Sequence, residues 1–434
     1  MREGDGLTRR AFLAVTAGAA AGCASVSRAK VTRLASARVV GANETIQVGV
    51  IGCGSRGTYL MKDLIARGER GDKVVVAAVC DIYEPRKQRA KDASSARLYH
   101  HWEDVVSRRD LDAVVIATPD HWHAPIAIAA MQAGKDVYCE KPMSHTVEEA
   151  KAFRDGAAET GRIVQIGTQD ASDGQWYTAG EIIRAGHIGR VLWSQAGYSR
   201  NSKGGEWNSP IPAEATLKTL DWERFLGSAE KRAFTRERFF RWRKYWDYSG
   251  GIATDLFYHK LAPLLIAIGP EFPERVSAAG GVYVQDDREV PDTFVMTLEY
   301  PSGHTIVLAS SMANRQGLPG VIRGREASLY CEGAAVRVVA EDEFKGEFAQ
   351  RFGVEAEKAI PVQTRPDHVA NWLDGIRTRT KCACDEELGY RTMVGIAMGV
   401  EAYRRGKTLS WDATGQTIMV SPPRALHAHE GETV

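Results

Sequence analysis

Short apolar runs recur through the first part of the chain, and a turn or a stretch with helical spacing follows each of them. The clearest runs are residues 46–51, 74–80, 113–117, 137–139 and 163–166. Continuous apolar runs of this length are typical of parallel strands that are buried on both faces. The pattern predicts strands alternating with helices, which is the order of a doubly wound α/β sheet.

The later part of the chain has a different period. Apolar and polar residues alternate in residues 191–198, 275–284, 292–300 and 304–311. This alternation predicts antiparallel strands with one covered face, and the sequence "YPSGH" at 300–304 predicts a hairpin turn. Residues 179–189 have a helical pattern, and residues 367–412 contain two amphipathic helical patterns that we expect to pack beside the first domain.

Composition limits the classes of function. The chain has 434 residues with 44% hydrophobic and 26% charged residues, enough for more than one core. Lysine and arginine total 56 against 55 acidic residues, and no long basic run is present, so we expect no nucleic-acid partner. Cys53, Cys80 and Cys139 end strand-like runs and are predicted to be buried thiols. Cys382 and Cys384 have no further ligand pair at zinc-site spacing, so no metal site is predicted.

The first residues resemble a twin-arginine export signal. Arg9 and Arg10 precede a weakly apolar run, rich in alanine and glycine, that is too short for a membrane span. Small residues before Cys23 make it a candidate for lipid attachment, and the alternative is an ordinary cleavage region. We therefore expect a periplasmic or cell-envelope protein, with a lipid anchor in the first of these two alternatives and with residues 1–44 as signal and linker.

A glycine motif follows the first strand-like run and opens the next helical stretch. Gly52, Gly54 and Gly57 have the spacing of a dinucleotide-binding turn, with Ser55 and Arg56 between them. The first glycine permits the tight turn, the second admits a pyrophosphate, and the third lets the helix pack closely on the strand. The start of that helix attracts phosphate.

Asp81 ends the second strand-like run, where a carboxylate accepts hydrogen bonds from ribose hydroxyls. This position favours NAD over NADP, because a 2′-phosphate would face a negative charge. Arg86 and Lys87 would weaken the preference. The alternative role for Asp81 is the cap of the helix that begins near Glu84.

Lys141 follows a further strand-like run, in "GKDVYCEKP". Ligands bind beyond the carboxyl ends of strands in an open parallel sheet. The loop with Thr118, Pro119, His121 and His123 occupies another such end, and we expect these four residues to bind the cofactor. An ammonium group beside a nicotinamide would stabilise alkoxide charge, and we expect Glu140 to orient Lys141 or to hold ribose. The alternative for the lysine is an ordinary surface ion pair.

The stretches "GVIGCGSRG" and "TPDHWHAPIAIAAMQAGKDVYCEKP" resemble the Gfo/Idh/MocA family of sugar and cyclitol oxidoreductases, and the likeness runs from residue 45 to about residue 412. It implies an N-terminal Rossmann domain, a doubly wound parallel sheet, and a C-terminal α/β domain with a large, mostly antiparallel sheet. It also implies that Lys141, Asp255 and His259 are catalytic, with the imidazole accepting the hydroxyl proton. Many relatives have an acid three residues after the histidine, where this chain has Ala262.

We therefore divide the chain into residues 1–44, an NAD(P)-binding domain at 45–166 and a substrate-binding domain at 167–420. The expected function is hydride transfer from a secondary hydroxyl of a sugar, glycoside or cyclitol to tightly bound NAD. The alternative is glycoside cleavage through transient oxidation, elimination and re-reduction. The family's broad sheet often pairs with a second copy, so a homo-oligomer is possible. Besides Asp255 and His259, the residues predicted to bind substrate are Gln169, Arg241, Trp242, Arg243 and Tyr248, although the aromatic and basic block at 239–248 is equally suited to packing.

Overall fold

The computed structural model describes residue 41 and residues 44–422. Its first sheet contains six parallel strands: β1 (Ile46–Ile51), β2 (Val74–Cys80), β3 (Arg97–Tyr99), β4 (Ala113–Ile116), β5 (Asp136–Glu140) and β6 (Val164–Gly167). Their order is β3-β2-β1-β4-β5-β6. The direction of winding reverses between β1 and β4, and such a reversal opens a crevice at the carboxyl ends of the strands. The predicted parallel sheet is confirmed.

Helices connect these strands: Ser55–Glu69, Glu84–Asp92, Trp102–Val106, His123–Gln132 and Val147–Thr160. The helix at Val147–Thr160 shows how local sequence sets its ends. Thr146 accepts a hydrogen bond from the backbone of Glu149, whose side chain bonds back, and Gly161 ends the helix in the left-handed conformation. This reciprocal cap and the terminal glycine satisfy backbone groups that a helix end leaves unpaired.

The second sheet contains ten strands in the order β14-β13-β12-β11-β7-β10-β9-β8-β15-β16, with the bounds β7 (Val191–Gly197), β8 (Arg275–Gly281), β9 (Thr293–Glu299), β10 (Thr305–Ser311), β11 (Val321–Gly324), β12 (Ala327–Glu332), β13 (Ala335–Ala340), β14 (Glu357–Pro361), β15 (Leu409–Asp412) and β16 (Thr417–Val420). Strands β7 and β10 pair in parallel, and the other described pairs are antiparallel. The predicted turn at 300–304 joins β9 to β10, with Gly303 at φ +80°. The mostly antiparallel sheet is confirmed.

The helices of the second part are Gly174–Arg184, Trp222–Leu226, Arg236–Phe240, Tyr258–Ile268, Lys345–Phe352, His368–Thr378 and Glu386–Arg405. The prediction of a helix over 179–189 is wrong at both ends. The helix begins five residues earlier, at Gly174 after the cap Asp173, and it ends at Arg184. A π-helical turn, Ala253–Phe257, runs directly into Tyr258–Ile268. Trp372, Leu373 and Ile376 pack into the core of the first sheet, whereas the helix Glu386–Arg405 contacts β8 and the helix Val147–Thr160.

Residues 198–248 leave the second sheet and cross to the first. We call them the bridging segment. Leu220 forms an isolated bridge with Tyr83 just after β2, and Trp222, Phe225, Phe239 and Tyr248 pack with Tyr83 in one apolar cluster. This cluster attaches the segment to the carboxyl end of the first sheet, where it covers the crevice.

Two further findings concern the cysteines and the membrane. The six cysteines in the described part of the chain are free and buried, as predicted for Cys53, Cys80 and Cys139. None of the helices between residues 44 and 422 has the length and apolar character that crossing a bilayer requires. The predicted export signal and Cys23 lie outside the described residues.

Candidate active site

A cavity of about 720 Å³ lies beyond the carboxyl ends of β1, β2, β4 and β5. The first domain contributes the glycine turn, Asp81, the loop after β4 and the end of β5 to its wall. The second domain contributes His259, and the bridging segment closes the cavity with Ser209, Pro210, Pro212, Phe225, Phe239 and Phe240. Both domains therefore border a single cavity.

The glycine turn has the geometry of a phosphate cradle. Gly52 has φ +90°, and a Cβ atom at Gly57 would lie 1.8 Å from the carbonyl oxygen of Gly52. Gly54, which precedes the helix, supplies no side-chain acceptor for the first N–H groups, and a Cβ there would meet only the side chain of Arg86. Free N–H groups at a helix start attract an anion. These residues fit the pyrophosphate of a dinucleotide.

Two backbone amides hold Asp81 at the border of the cavity. Oδ2 accepts a hydrogen bond from the N–H of Cys53 at 2.7 Å, and Oδ1 accepts one from the N–H of Tyr83 at 2.8 Å. Tyr83, not Asp81, is the cap residue of the helix Glu84–Asp92, so the alternative role predicted for Asp81 is wrong. The guanidinium of Arg86 lies over the rings of Tyr83, Phe239 and Phe240.

Glu140 pairs with Arg56. The Nε of Arg56 donates to Oε1 of Glu140 at 2.7 Å, which joins the glycine turn to the end of β5. Gln169 borders the cavity beside them and donates to the hydroxyl of Tyr138 at 3.0 Å. The hydrogen bonds of Lys141 go to Asp255 instead. The prediction that Glu140 orients Lys141 is therefore wrong.

Asp255 collects donors from both domains. The ammonium of Lys141 donates to its Oδ1 at 2.9 Å and to its backbone oxygen at 2.7 Å, and the Nε of Arg243 donates to Oδ1 at 2.9 Å. Trp207 Nε1 donates to Oδ2 at 3.2 Å. Burial opposes ionisation, but the charges of Lys141 and Arg243 outweigh it and hold the pKa of Asp255 well below its usual range. Asp255 is an anion that fixes the position of Lys141.

His259 lies one turn further along the same helical segment. Its Nδ1 is 3.2 Å from Oγ1 of Thr168, and its ring borders the cavity together with Lys141. Burial first, and then the charge of Lys141, lowers the pKa of His259 well below its ordinary value. The imidazole is therefore neutral at neutral pH, the form that accepts a proton.

Three predicted contacts lie elsewhere, and the reason is packing. His121 does not border the cavity, because its Nε2 donates to the carbonyl oxygen of Phe225 at 2.7 Å, and burial lowers its pKa to about 3. Tyr248 is fully buried in the apolar cluster of the bridging segment. Arg241 pairs with Glu237 at 3.0 Å. The predicted roles of His121, Tyr248 and Arg241 as ligand contacts are therefore wrong.

The remaining predicted residues border the cavity. Ser55, Thr118, Pro119 and Trp242 belong to its wall. His123 is also part of the wall, with its ring nitrogens 2.6 Å and 2.8 Å from the carbonyl oxygens of Pro142 and Thr118.

Sequence reasoning missed several polar residues at this site. Asp120 borders the cavity, accepts a hydrogen bond from Oγ1 of Thr254 at 3.2 Å, and has a pKa that burial raises to about 7. Its position in the loop after β4 is a signal that was available. Thr168 carried the same signal, because it directly follows β6. Trp207 carried none, because it lies in a long loop that reaches Asp255 only in the folded chain.

Comparison with known proteins agrees with this geometry. Residues 46–168 match the family model described as "Oxidoreductase family, NAD-binding Rossmann fold", and residues 203–425 match "Oxidoreductase family, C-terminal alpha/beta domain". The chain belongs to the Gfo/Idh/MocA oxidoreductase family. Membership agrees with both sheets and with the glycine turn.

The matches between this family member and its relatives span only part of each chain. An "Inositol 2-dehydrogenase" of Salmonella typhimurium is 32% identical over 176 residues, which are 40% of this chain and 52% of the relative. A "Glycosyl hydrolase family 109 protein" of Stenotrophomonas maltophilia is 32% identical over 179 residues, 38% of each chain. The chain thus spans about half the length of the first of these relatives, and less of the second.

Solved structures of low sequence identity have the same fold as this family member. The "WlbA dehydrogenase from Bordetella pertussis in complex with NADH and UDP-GlcNAcA" is 20% identical with a TM-score of 0.62, and 85% of this chain covers 99% of that chain. The "Levoglucosan dehydrogenase, complex with NADH and levoglucosan" is 18% identical with a TM-score of 0.64 and the same coverage.

Proposed function

We propose that the protein is an NAD-dependent oxidoreductase that oxidises a secondary hydroxyl of a sugar, glycoside or cyclitol. One observation carries this proposal: Lys141 from the first domain and His259 from the second border the same cavity, beside the glycine turn. The relatives named inositol 2-dehydrogenase support the class of substrate.

The cofactor would occupy the first-domain side of the cavity. Gly52, Gly54 and Ser55 would hold the pyrophosphate, and Asp81 would accept the ribose hydroxyls, which favours NAD over NADP. Thr118, Pro119, His123, and Glu140 with its partner Arg56 line the remaining wall on this side. Bound NAD supplies the hydride acceptor.

Lys141 and His259 would divide the work at the substrate hydroxyl. An ammonium group has three donors, and Asp255 accepts two from Lys141, so one is left for the substrate oxygen. That hydrogen bond stabilises negative charge as it develops on the oxygen. The neutral imidazole of His259 takes the hydroxyl proton, and Thr168 fixes the ring through Nδ1.

The test combines nucleotide identification with turnover. Denaturing the purified protein and analysing the supernatant by mass spectrometry identifies any retained nucleotide. NADH absorbance then reports oxidation of a panel of sugars and cyclitols. His259→Ala is expected to lower kcat by roughly 10²- to 10⁴-fold while NAD still binds. Unchanged turnover in this variant, or a protein that binds no NAD, would overturn the proposal.

A second candidate function is glycoside cleavage with retained NAD, by oxidation, elimination and re-reduction within one turnover. The relative named glycosyl hydrolase family 109 protein favours it, as does the bridging segment, which covers the crevice and would slow release of a nucleotide. Aryl glycosides without any added electron acceptor separate the two functions. Release of the aglycone supports cleavage, and its absence despite sugar oxidation supports the dehydrogenase.

We also propose that the chain is exported by the twin-arginine route. Arg9, Arg10 and the apolar run after them support this. Replacing both arginines with lysine is expected to leave the protein in the cytoplasm on cell fractionation. Export of that variant at the normal level would contradict the route. Lipid attachment at Cys23 is a separate proposal, tested by loss of labelled fatty acid in Cys23→Ser.

A further inference from the structure

Four positively charged side chains lie at or beside the substrate side of the cavity. Lys141 and Arg243 border the cavity, whereas Arg200 lies near Asp255 and Lys260 near His259; we call these four side chains the cationic cluster. Lys141 and Arg243 share the single carboxylate of Asp255. Arg200 is close enough to Asp255 for its charge to contribute to the low pKa of that carboxyl group.

The other two members of the cationic cluster, Arg200 and Lys260, lie against the ring of Tyr198, which also lies near the imidazole of His259. The Arg200 guanidinium lies 4.8 Å from the centre of this ring, and the Lys260 ammonium lies 5.1 Å from it. The ring centre of His259 is 6.4 Å from that of Tyr198. Arg200, Lys260 and the imidazole that would accept the substrate proton therefore all lie around the ring of Tyr198.

These cations are incompletely neutralised by protein carboxylates. Glu206 is 4.0 Å from Arg200 and Asp170 is 3.5 Å from Lys260, both too long for strong hydrogen-bonded pairs. Arg243 uses Nε for Asp255, and its other guanidinium nitrogens make no hydrogen bond to the described residues. The four cations thus have three carboxylates near them, and burial raises the pKa of a fourth acid, Asp120, to about 7.

Resting on the oxidoreductase function proposed above, we propose that the substrate is a sugar acid whose carboxylate binds the free guanidinium nitrogens of Arg243 together with Arg200. Its hydroxyl would lie between Lys141 and His259. A planar guanidinium matches a carboxylate with two parallel hydrogen bonds. The guanidinium nitrogens that Arg243 leaves unpaired suit a monoanion, whereas the uncharged oxygens of a neutral sugar would compensate a desolvated cation less well.

Binding to the protein loaded with NADH tests the proposal independently of turnover. Calorimetric titration compares glucose with glucuronate, galactose with galacturonate, and each neutral sugar with its phosphate ester. We expect each uronate to bind about tenfold or more tightly than the neutral sugar, the gain of one charge-assisted pair. Arg243→Gln and Arg200→Gln should each reduce this preference. Arg200→Gln is the variant less prone to misfold, because the ion pair it loses is a 4.0 Å contact with Glu206, whereas Arg243→Gln breaks the 2.9 Å pair with Asp255.

A matched control is Arg337→Gln, which removes an arginine from the exposed pair with Glu357 on the second sheet. It should keep the full preference for uronates. Equal or tighter binding of neutral sugars, tighter binding of phosphate esters, no binding of any uronate, or a preference that survives both glutamine variants would overturn the proposal. Oxidation of neutral sugars alone would contradict the sugar-acid substrate and leave the oxidoreductase function standing. Failure to bind NADH would contradict that function itself.

Discussion

Replacing Asp255 with asparagine tests the central contact between the two domains. The substitution keeps the shape of the side chain but removes the negative charge that Lys141 and Arg243 share. The Lys141 and Asp255 side chains are each only 10% exposed, so water cannot replace the lost partner. Two cations are then left close together in a poorly solvated site.

The size of the effect follows from burial. Removing one partner of a buried ion pair costs about 3–5 kcal/mol, because the other charge stays buried and unpaired. Arg243 is more exposed and contributes less. We therefore expect Asp255→Asn to lower the free energy of unfolding by about 3–5 kcal/mol and to reduce kcat, since Lys141 loses its fixed position.

Urea denaturation followed by tryptophan fluorescence measures this loss, and a double-mutant cycle with Lys141→Met isolates the pair. The double variant should cost less than the two single variants together, with a coupling of about 1–3 kcal/mol. Glu357→Gln, at the exposed pair with Arg337, is the control and should cost less than about 1 kcal/mol.

Acid adds an independent check on the same contact. The folded-state pKa of Asp255 is lowered, so its contribution to stability is present above its ordinary pKa of 3.8 and is lost as the pH falls below that value. Asp255→Asn should lack this part of the acid sensitivity. A cost below about 1 kcal/mol for Asp255→Asn, or no coupling to Lys141→Met, would refute the reasoning that this carboxylate anchors the site.

Two further predictions concern the glycine turn and the buried acid. Gly57→Ala places a methyl group against the Gly52 carbonyl and should abolish NAD binding in a titration. The control Gly346→Ala, at an open helical position, should bind NAD normally. Normal NAD binding by both variants would contradict the role of the glycine turn as a phosphate cradle. The pKa of Asp120 is raised from 3.8 to about 7, so its contribution to stability is present below pH 3.8 and is lost as the pH rises to about 7. In urea denaturation, Asp120→Asn should remove up to about 4 kcal/mol of this pH-dependent fall in the free energy of unfolding. An unchanged pH profile of stability would contradict the raised pKa of Asp120.

Much of the first domain was predictable because its signals are local. A buried parallel strand must be apolar throughout, and the tight turn after β1 requires glycine where a Cβ atom would strike backbone. The same reasoning placed Lys141 at a strand end, and strand ends of a parallel sheet meet at one edge. The carboxyl edge of the sheet was therefore predictable without coordinates.

The block at 239–248 shows where this reasoning fails. Arg243 and Trp242 face the cavity, whereas Tyr248 is buried and Arg241 pairs with Glu237. Aromatic and basic residues suit the wall of a ligand site and a packed cluster equally. In helices this short, the spacing of residues does not show which side chains face a ligand and which are buried. The way in which the bridging segment folds back onto Tyr83 determines which of these side chains face the cavity.

The sequence by itself determined the two sheets, the glycine turn and the residue types available for hydride and proton transfer, because these depend on spacing along a few residues. Only the tertiary structure decided that Asp255 binds Lys141, that Glu140 binds Arg56, and that Trp207 reaches the site. Each of these contacts joins residues far apart in the chain. Whether two charged groups pair depends on the distance between them in the folded protein, and the spacing of residues along the sequence does not give that distance.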